Sequence, residues 1–98
     1  MPTYVTLINW TQRGIENVND SPDRLDDAKA LAGSMDGEIT HWFLTFGQYD
    51  AVAVSEFPDD ETAAQFALAV GSKGTVSTQT LKAFDEDEYR EVIAGVPG

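Results

Sequence analysis

The pattern of apolar and polar positions first predicts a strand and a helix. Residues 4–10 are mostly β-branched or aromatic, carry no helix signal and predict a first strand. The polar stretch 11–20 follows as a connection that is broken at Gly14. Ser21 and Pro22 then predict a helix start, since serine caps free amides and proline fits the first helical position. Apolar residues recur at helical spacing along this helix: Leu25, Ala28, Leu31, Ala32 and Met35.

A hairpin and a second helix are predicted in the middle of the chain. Gly37 ends the first helix, and residues 39–46 form an aromatic and β-branched second strand. The short connection at 47–48 predicts that residues 49–57 return antiparallel to it as a third strand. Residues 58–61 open the second helix with an aspartate cap and further acids in its first turn. The buried stripe of this helix consists of Ala63, Phe66, Ala67 and Val70.

The order of these elements predicts the fold class. Residues 75–84 form a fourth strand, and a capping box at 85–88 begins a short last helix. Tyr89, Val92 and Ile93 are expected to pack that helix onto the domain. The β-α-β-β-α-β order predicts an α+β fold of the ferredoxin-like kind, because two right-handed βαβ units give a four-stranded antiparallel sheet with two helices on one face.

This arrangement leaves one face of the sheet without helices. The strands carry too many aromatic side chains for all of them to lie on one face of the sheet, so both faces must carry some. These residues are Trp10, His41, Trp42, Phe43, Phe46 and Tyr49. An apolar face of several hundred Å² favours aggregation unless a partner covers it. Sheet-to-sheet packing of two copies would cover it, so the chain is expected to form a homo-oligomer, at least a dimer.

The net charge excludes two classes of partner. Seventeen Asp and Glu against six Lys and Arg give a formal net charge of −11 and a pI near 4.1. Nucleic-acid phosphates and anionic membrane surfaces are both bound through clustered basic side chains, so neither is expected as a partner. The excess of acids fits either an acidic mesophile protein or a halophile protein, in which high salt screens the self-repulsion and low salt impairs folding.

The chain lacks cysteine, a signal-peptide pattern and a membrane-spanning run, and these absences reduce the number of possible functions. The chain has no cysteine, which excludes disulfide scaffolds, thiolate zinc sites and cysteine nucleophiles. No signal-peptide pattern follows Met1, and no apolar run approaches the roughly 20 residues of a membrane span. We therefore expect a cytoplasmic protein with one domain over residues 1–98 and with no metal or organic cofactor.

The turn at residues 47–50, Gly-Gln-Tyr-Asp, is the best candidate for a functional site. Glycine permits a positive φ in the turn, so that Tyr49 and Asp50 emerge at the start of a strand. Asp50 could there accept a hydrogen bond from a substrate in a cavity. Alternatively, it braces the turn by capping backbone amides beside a packed tyrosine.

Four segments together resemble the GYD domain family. They are residues 4–11 (Tyr-Val-Thr-Leu-Ile-Asn-Trp-Thr), 47–50 (Gly-Gln-Tyr-Asp), 58–60 (Pro-Asp-Asp) and 78–84 (Thr-Gln-Thr-Leu-Lys-Ala-Phe). The resemblance implies a fold of the dimeric α+β barrel type and no established general activity. The turn also resembles one in the effector-binding domains of feast/famine-type regulators, which implies binding of small metabolites at oligomer interfaces.

His41 is the single histidine and the candidate acid–base group. Imidazole exchanges protons near neutral pH, and the dimeric barrel resemblance implies strand histidines that act in cofactor-free oxygenases and isomerases or that ligate haem. Tyr49 or Asp50 would orient His41 if the fold brings them together. Otherwise, His41 is a partly buried residue with a structural hydrogen bond.

Three other features have simpler explanations. Pro2 would offer a secondary amine after removal of Met1, although tautomerases that use such a group have a shorter β-α-β unit. Lys73 makes the 71–74 loop locally cationic, so that loop either holds an anion or merely connects two elements. The acidic residues 85–88 are a favourable helix start and lack the spacing of a calcium loop.

The leading hypothesis is a homo-oligomeric module that binds or senses a small metabolite. Its expected ligand-binding residues are Trp10, His41, Tyr49 and Asp50. The first alternative is a cofactor-independent enzyme of the oxygenase or isomerase type with His41 as its catalytic acid–base group. The second alternative is a purely structural assembly protein whose interfaces are its function.

Overall fold

Four strands and four helices make up the protein. The computed structural model describes residues 1–98, and the elements follow the predicted order with one added helix. They are β1 (Thr3–Trp10), α1 (Gln12–Glu16), a 3-10 turn (Val18–Asp20), α2 (Ser21–Ser34), β2 (Glu38–Leu44), β3 (Ala51–Glu56), α3 (Asp60–Gly71), β4 (Val76–Ala83) and α4 (Glu86–Ala94). None of the four helices combines the length and the apolar composition that a membrane-spanning helix requires.

The strands form one antiparallel sheet in the order β2-β3-β1-β4. The central strand β1 pairs with β3 on one side and with β4 on the other, so Thr6 lies opposite both Ala53 and Thr80. This is the α+β, ferredoxin-like layout that the order of elements predicted. Helices α2 and α3 both lie over the same face of this sheet.

A β-bulge in β2 decides which side chains point to which face. Ile39 lies opposite Ser55, whereas His41 lies opposite Val54, so Thr40 is an extra residue between them. The Thr40 hydroxyl donates a hydrogen bond of 3.1 Å to the Val54 carbonyl oxygen. As a result Ile39 and Trp42 point towards the helices, while His41 and Phe43 point away from them.

The fully buried core is small and lies between the sheet and the helices. Tyr4, Ala32, Phe57 and Ala63 form it, and Met35, Ile39 and Phe66 pack against it. The Phe57 ring centre lies 4.9 Å from that of Phe66 and 6.3 Å from that of Tyr4. Helix α3 is fixed at its start by Asp59, whose side chain accepts a hydrogen bond from the Thr62 amide, as the predicted aspartate cap requires.

Residues 12–16 correct one prediction, because the expected irregular connection contains a short helix. Thr11 caps this helix α1 by accepting a 3.2 Å hydrogen bond from the Gly14 amide. Gly14 does not break the helix. It is buried, and a Cβ atom at this position would lie only 2.0 Å from the Thr75 carbonyl oxygen, so glycine allows α1 to lie directly against the loop before β4.

The end of α2 corrects a second prediction. Asp36 adopts the positive φ of 61° that terminates the helix, and the Gly37 amide donates to the Ala32 carbonyl oxygen at 2.9 Å. Glycine is required at position 37 for a steric reason instead, because a Cβ atom there would lie 2.4 Å from the buried Phe57 ring. At the other end, Asp20 rather than Ser21 occupies the cap position, and no side chain caps the helix.

The chain is more extended than a compact domain of its length. Its radius of gyration is 14.9 Å, compared with about 13 Å expected for 98 residues. Helix α4 begins with the predicted capping box, in which Asp85 and Glu88 bond each other's backbone amides. The expected packing of Tyr89, Val92 and Ile93 is wrong for the single chain, since these side chains are 50–56% exposed.

Gly37→Ala should destabilise the protein by about 1–3 kcal/mol, because the new methyl group overpacks the site against Phe57. Urea unfolding followed by circular dichroism measures this difference. Gly33→Ala is the matched control, because no atom lies within 4 Å of its Cβ position in α2. Alanine there should leave the stability unchanged or raise it. Equal stability of the two variants would contradict the close contact at Gly37.

Candidate functional site

The main cavity lies between the sheet and helices α2 and α3. Its volume is about 160 Å³, and 16 of its 25 lining residues are hydrophobic. Alternate residues of β1 form its floor, because side chains two apart on a strand share a face. These floor residues are Tyr4, Thr6, Ile8 and Trp10.

The cavity exists because β3 carries small side chains under the helices. Ala51, Ala53 and Ser55 are all buried and all line the cavity. Ala53 lies directly opposite Thr6 of β1 and Trp42 of β2. Larger side chains at these positions would fill the space that now separates the sheet from the helices.

A hydrogen-bonded cluster closes one end of the cavity. The buried Tyr4 hydroxyl donates a 2.5 Å hydrogen bond to an Asp60 carboxylate oxygen. Lys82 Nζ lies 3.1 Å from that carboxylate, so β1, α3 and β4 meet here. Burial, followed by the hydrogen bond to Asp60, raises the pKa of Tyr4 to about 12. The same hydrogen bond and Lys82 lower the pKa of Asp60.

Asp50 joins the hairpin turn to the end of β1. Its carboxylate accepts a 2.9 Å hydrogen bond from the Trp10 amide, and its own amide donates to the Ile8 carbonyl oxygen at 2.9 Å. Gly47 has the positive φ, 94°, that this turn requires. The carboxylate thus acts as a brace between two segments in this structure.

Tyr49 and His41 lie away from the main cavity. The Tyr49 hydroxyl is 3.5 Å from the side-chain oxygen of Gln79, and neither residue lines the cavity. His41 is exposed on the helix-free face, where its ring stacks on Phe43 with ring centres 6.2 Å apart. His41 Nδ1 lies 3.0 Å from the Thr40 hydroxyl oxygen.

The four expected ligand-binding residues therefore do not line one cavity within a single chain. Trp10 and Asp50 are joined by a hydrogen bond, and Tyr49 adjoins Asp50. His41 lies opposite Val54 in β3, which is four residues or about 13 Å along the strand from Asp50. Neither Tyr49 nor Asp50 orients His41, and their contacts with a ligand stay predictions. No three metal-ligating side chains come together in the chain.

Of the expected ligand-binding residues only Trp10 lines the cavity, and two of its other lining residues, Trp42 and Arg24, show why. Trp42 faces the cavity only because of the bulge at Thr40, and a bulge of this kind leaves no clear local signal. Arg24 lines the cavity from the first turn of α2. A signal for Arg24 does exist, since it precedes Ala28 by four and Leu31 by seven residues and so shares their helix face.

The sheet order and the helix-covered cavity define an α+β protein of the ferredoxin-like class. A profile of the GYD domain matches residues 4–93. The chain therefore belongs to the GYD domain family, as the segments at residues 4–11, 47–50, 58–60 and 78–84 indicated.

A protein and a solved structure from Thermus thermophilus are similar to this chain. One, described as a glutamine synthetase and cystathionine beta-lyase binding protein, is 32% identical over 84 residues, which are 85% of this chain and 88% of that protein. The other is the crystal structure of TTHA0845, which matches with a TM-score of 0.56 and 22% sequence identity over 86% of this chain and 94% of that one. At this identity, the structural match supports the fold alone.

Tyr4→Phe should remove one component of the pH dependence of stability. The folded-state pKa of Tyr4 is about 12, whereas that of an unfolded tyrosine is about 10. The unfolded chain therefore loses this proton first, so the contribution of Tyr4 is complete below pH of about 10 and is lost as the pH rises towards about 12.

Urea unfolding at a series of pH values, for the wild type, Tyr4→Phe and the exposed control Tyr89→Phe, measures this component. At neutral pH, loss of the hydrogen bond to the charged Asp60 carboxylate should cost about 1.5–3 kcal/mol. The difference between Tyr4→Phe and the wild type should then shrink above pH of about 10. A constant difference across this range would show that Tyr4 ionises equally in both states.

Proposed function

We propose that this protein is a binding module that holds a small, mostly apolar molecule in the main cavity and works as a homodimer. The cavity is the observation that carries the proposal. Its volume of about 160 Å³ is close to the roughly 150 Å³ that accommodates one benzene molecule in a protein interior. A ligand with one ring, or an aliphatic group of equal size, is therefore the class that fits.

The helix-free sheet face supports the homodimer. It presents two rows of neighbouring side chains across the sheet, which are His41, Val54, Val5 and Leu81 in one row and Phe43, Val52, Leu7 and Gln79 in the other. Most of these side chains are apolar, and Phe43 is 56% exposed. A second copy packed face to face would remove this surface from water.

The Thermus thermophilus relative that is described as binding two enzymes suggests a second candidate, in which this chain binds another protein. Helix α4 supports it, because its apolar residues Tyr89, Val92 and Ile93 are each 50–56% exposed. Amphipathic helices commonly bind in the grooves of other proteins. This activity would use a different surface from the main cavity, so the two candidates are compatible.

The two earlier alternatives have less support from the geometry. A cofactor-independent oxygenase or isomerase needs His41 beside a bound substrate, but His41 lies outside the main cavity and has no carboxylate to orient it. A purely structural assembly protein has no need of a cavity, and here small side chains on β3 keep one open.

Native mass spectrometry tests the ligand. Protein produced in its own source organism should carry a small, removable mass. Ala53→Leu should abolish this mass, because the larger side chain projects into the cavity. Ala64→Leu is the matched control on the exposed side of α3 and should retain it. An unliganded wild type, or a ligand that survives Ala53→Leu, would contradict binding in the main cavity.

Light scattering after size-exclusion chromatography tests the homodimer. In about 1 M NaCl, which screens the acidic surface, the wild type should have twice the mass of the 10.7 kDa chain. Val5→Glu places a charge at the centre of the helix-free face and should produce monomers. Gln65→Glu, the same charge change on exposed α3, should remain dimeric. A monomeric wild type would exclude the sheet-to-sheet dimer.

A further inference from the structure

We propose that the main cavity selects ligands with an anionic head group, a carboxylate on a small apolar body, and that Arg24 and Lys73 bind this head group. The inference rests on the proposed function of the cavity and adds the chemical class of its ligand. It arises from an unusual distribution of the few basic residues in this acidic chain.

Most of the basic residues have no acidic partner, although acids outnumber them. Six Lys and Arg face seventeen Asp and Glu. Only Lys82 and Arg90 form salt bridges, with Asp60 and Glu86 respectively. The remaining four have no carboxylate within the 4.0 Å that defines such a pair, and they are Arg13, Arg24, Lys29 and Lys73. Arg24 and Lys73 line the main cavity.

Backbone contacts bring Arg24 and the loop that carries Lys73 to the same end of the cavity. Arg24 Nη2 donates to the Gly14 carbonyl oxygen at 3.3 Å. Gly14 in turn lies against Thr75, and the Trp10 side chain would be 3.2 Å from a Cβ on Gly14. The Thr11 amide also donates to the Thr75 carbonyl oxygen at 3.1 Å. Lys73 therefore lies two residues before Thr75, the residue against which α1 packs.

The Arg24 guanidinium is fixed in position without being neutralised. Its Nη1 donates to the Asn17 carbonyl oxygen at 3.0 Å and its Nη2 to that of Gly14. Carbonyl oxygens are neutral acceptors, so they orient the group and leave its charge uncompensated. A guanidinium has five N–H donors, and the donors not used here suit a carboxylate, which accepts two parallel hydrogen bonds.

The acidic groups near the cavity do not cancel the two positive charges of Arg24 and Lys73. Asp27 also lines the cavity and opposes an anion, while Arg24 and Lys73 favour one. Asp60 at the opposite end is already paired with Lys82 and Tyr4. The net charge of −11 acts from a distance, and salt screens it beyond about 8–10 Å. Of the acidic residues of α2 that are close to Arg24 in sequence, Asp23 and Asp26 are exposed and do not line the cavity, so a head group in contact with Arg24 and Lys73 lies nearer to these two cations than to either carboxylate.

Phenylacetate is the probe that matches both the volume and the charge, and tryptophan fluorescence detects it directly. Both tryptophans of the chain, Trp10 and Trp42, line the cavity. Phenylacetamide is the neutral analogue of the same shape, and phenethylammonium is the cationic one. Because hydrogen bonds to charged groups contribute more than neutral ones, phenylacetate should bind about tenfold or more tightly than phenylacetamide, with phenethylammonium the weakest.

Charge-removing variants assign the effect to individual residues. Arg24→Gln should abolish the preference for phenylacetate over phenylacetamide, and Lys73→Gln should reduce it severalfold. Lys29→Gln removes the same charge from an exposed position of α2 outside the cavity and should preserve it. If Arg24→Gln unfolds, Lys73→Gln still decides the question, since this side chain is exposed.

The possible results distinguish the head-group assignment from ligand binding in the cavity as such. Equal binding of phenylacetate and phenylacetamide, unaffected by Arg24→Gln and Lys73→Gln, would overturn the head-group assignment and leave a cavity for neutral ligands. Tightest binding of phenethylammonium would assign selectivity to Asp27 and also overturn it. No fluorescence response to any of the three probes would overturn the ligand-binding function of the cavity together with this inference.

Discussion

The alternation of side chains on β3 is the constraint on which the structure depends. Its inward residues, Ala51, Ala53 and Ser55, are small and buried, and its outward residues, Val52 and Val54, are β-branched. Small inward side chains allow the helices to cover the sheet without filling the space beneath them. The fully buried core is consequently small and centres on Phe57, which contacts Phe66, Tyr4 and the backbone at Gly37.

Much of the fold could be predicted from the sequence because its signals are local. The aspartate cap of α3, the capping box at Asp85 and the short hairpin each depend on a few neighbouring residues. The faces of β2 could not be predicted, since the extra residue at Thr40 is recognised only from its partner strand. Gly14 and Gly37 were misinterpreted for a related reason, because the carbonyl and the ring that require glycine lie far away in sequence.

The candidate site could be predicted only in part. Trp10 and Asp50 belong together, but their link is a hydrogen bond from the Trp10 amide to the Asp50 carboxylate rather than a shared ligand pocket. The cavity depends on the small inward side chains of β3 together with the placement of α2 and α3 above them, so it requires three separate segments of the chain. Arg24 shows how a basic residue within an apolar helical stripe can indicate the edge of such a space, even where the overall composition is strongly acidic.

The sheet is a single layer, so the same strand contributes to both of its faces. In β1, Tyr4 and Thr6 line the cavity, while Val5 and Leu7 lie on the opposite surface. Only the backbone of the sheet separates these two surfaces, so a movement of the strand changes both of them. Thermodynamic linkage requires that any effect of cavity occupancy on self-association be matched by an equal effect of self-association on cavity affinity. Because only the sheet separates the two surfaces, a shift of β1 on ligand binding would act directly on the surface used for self-association.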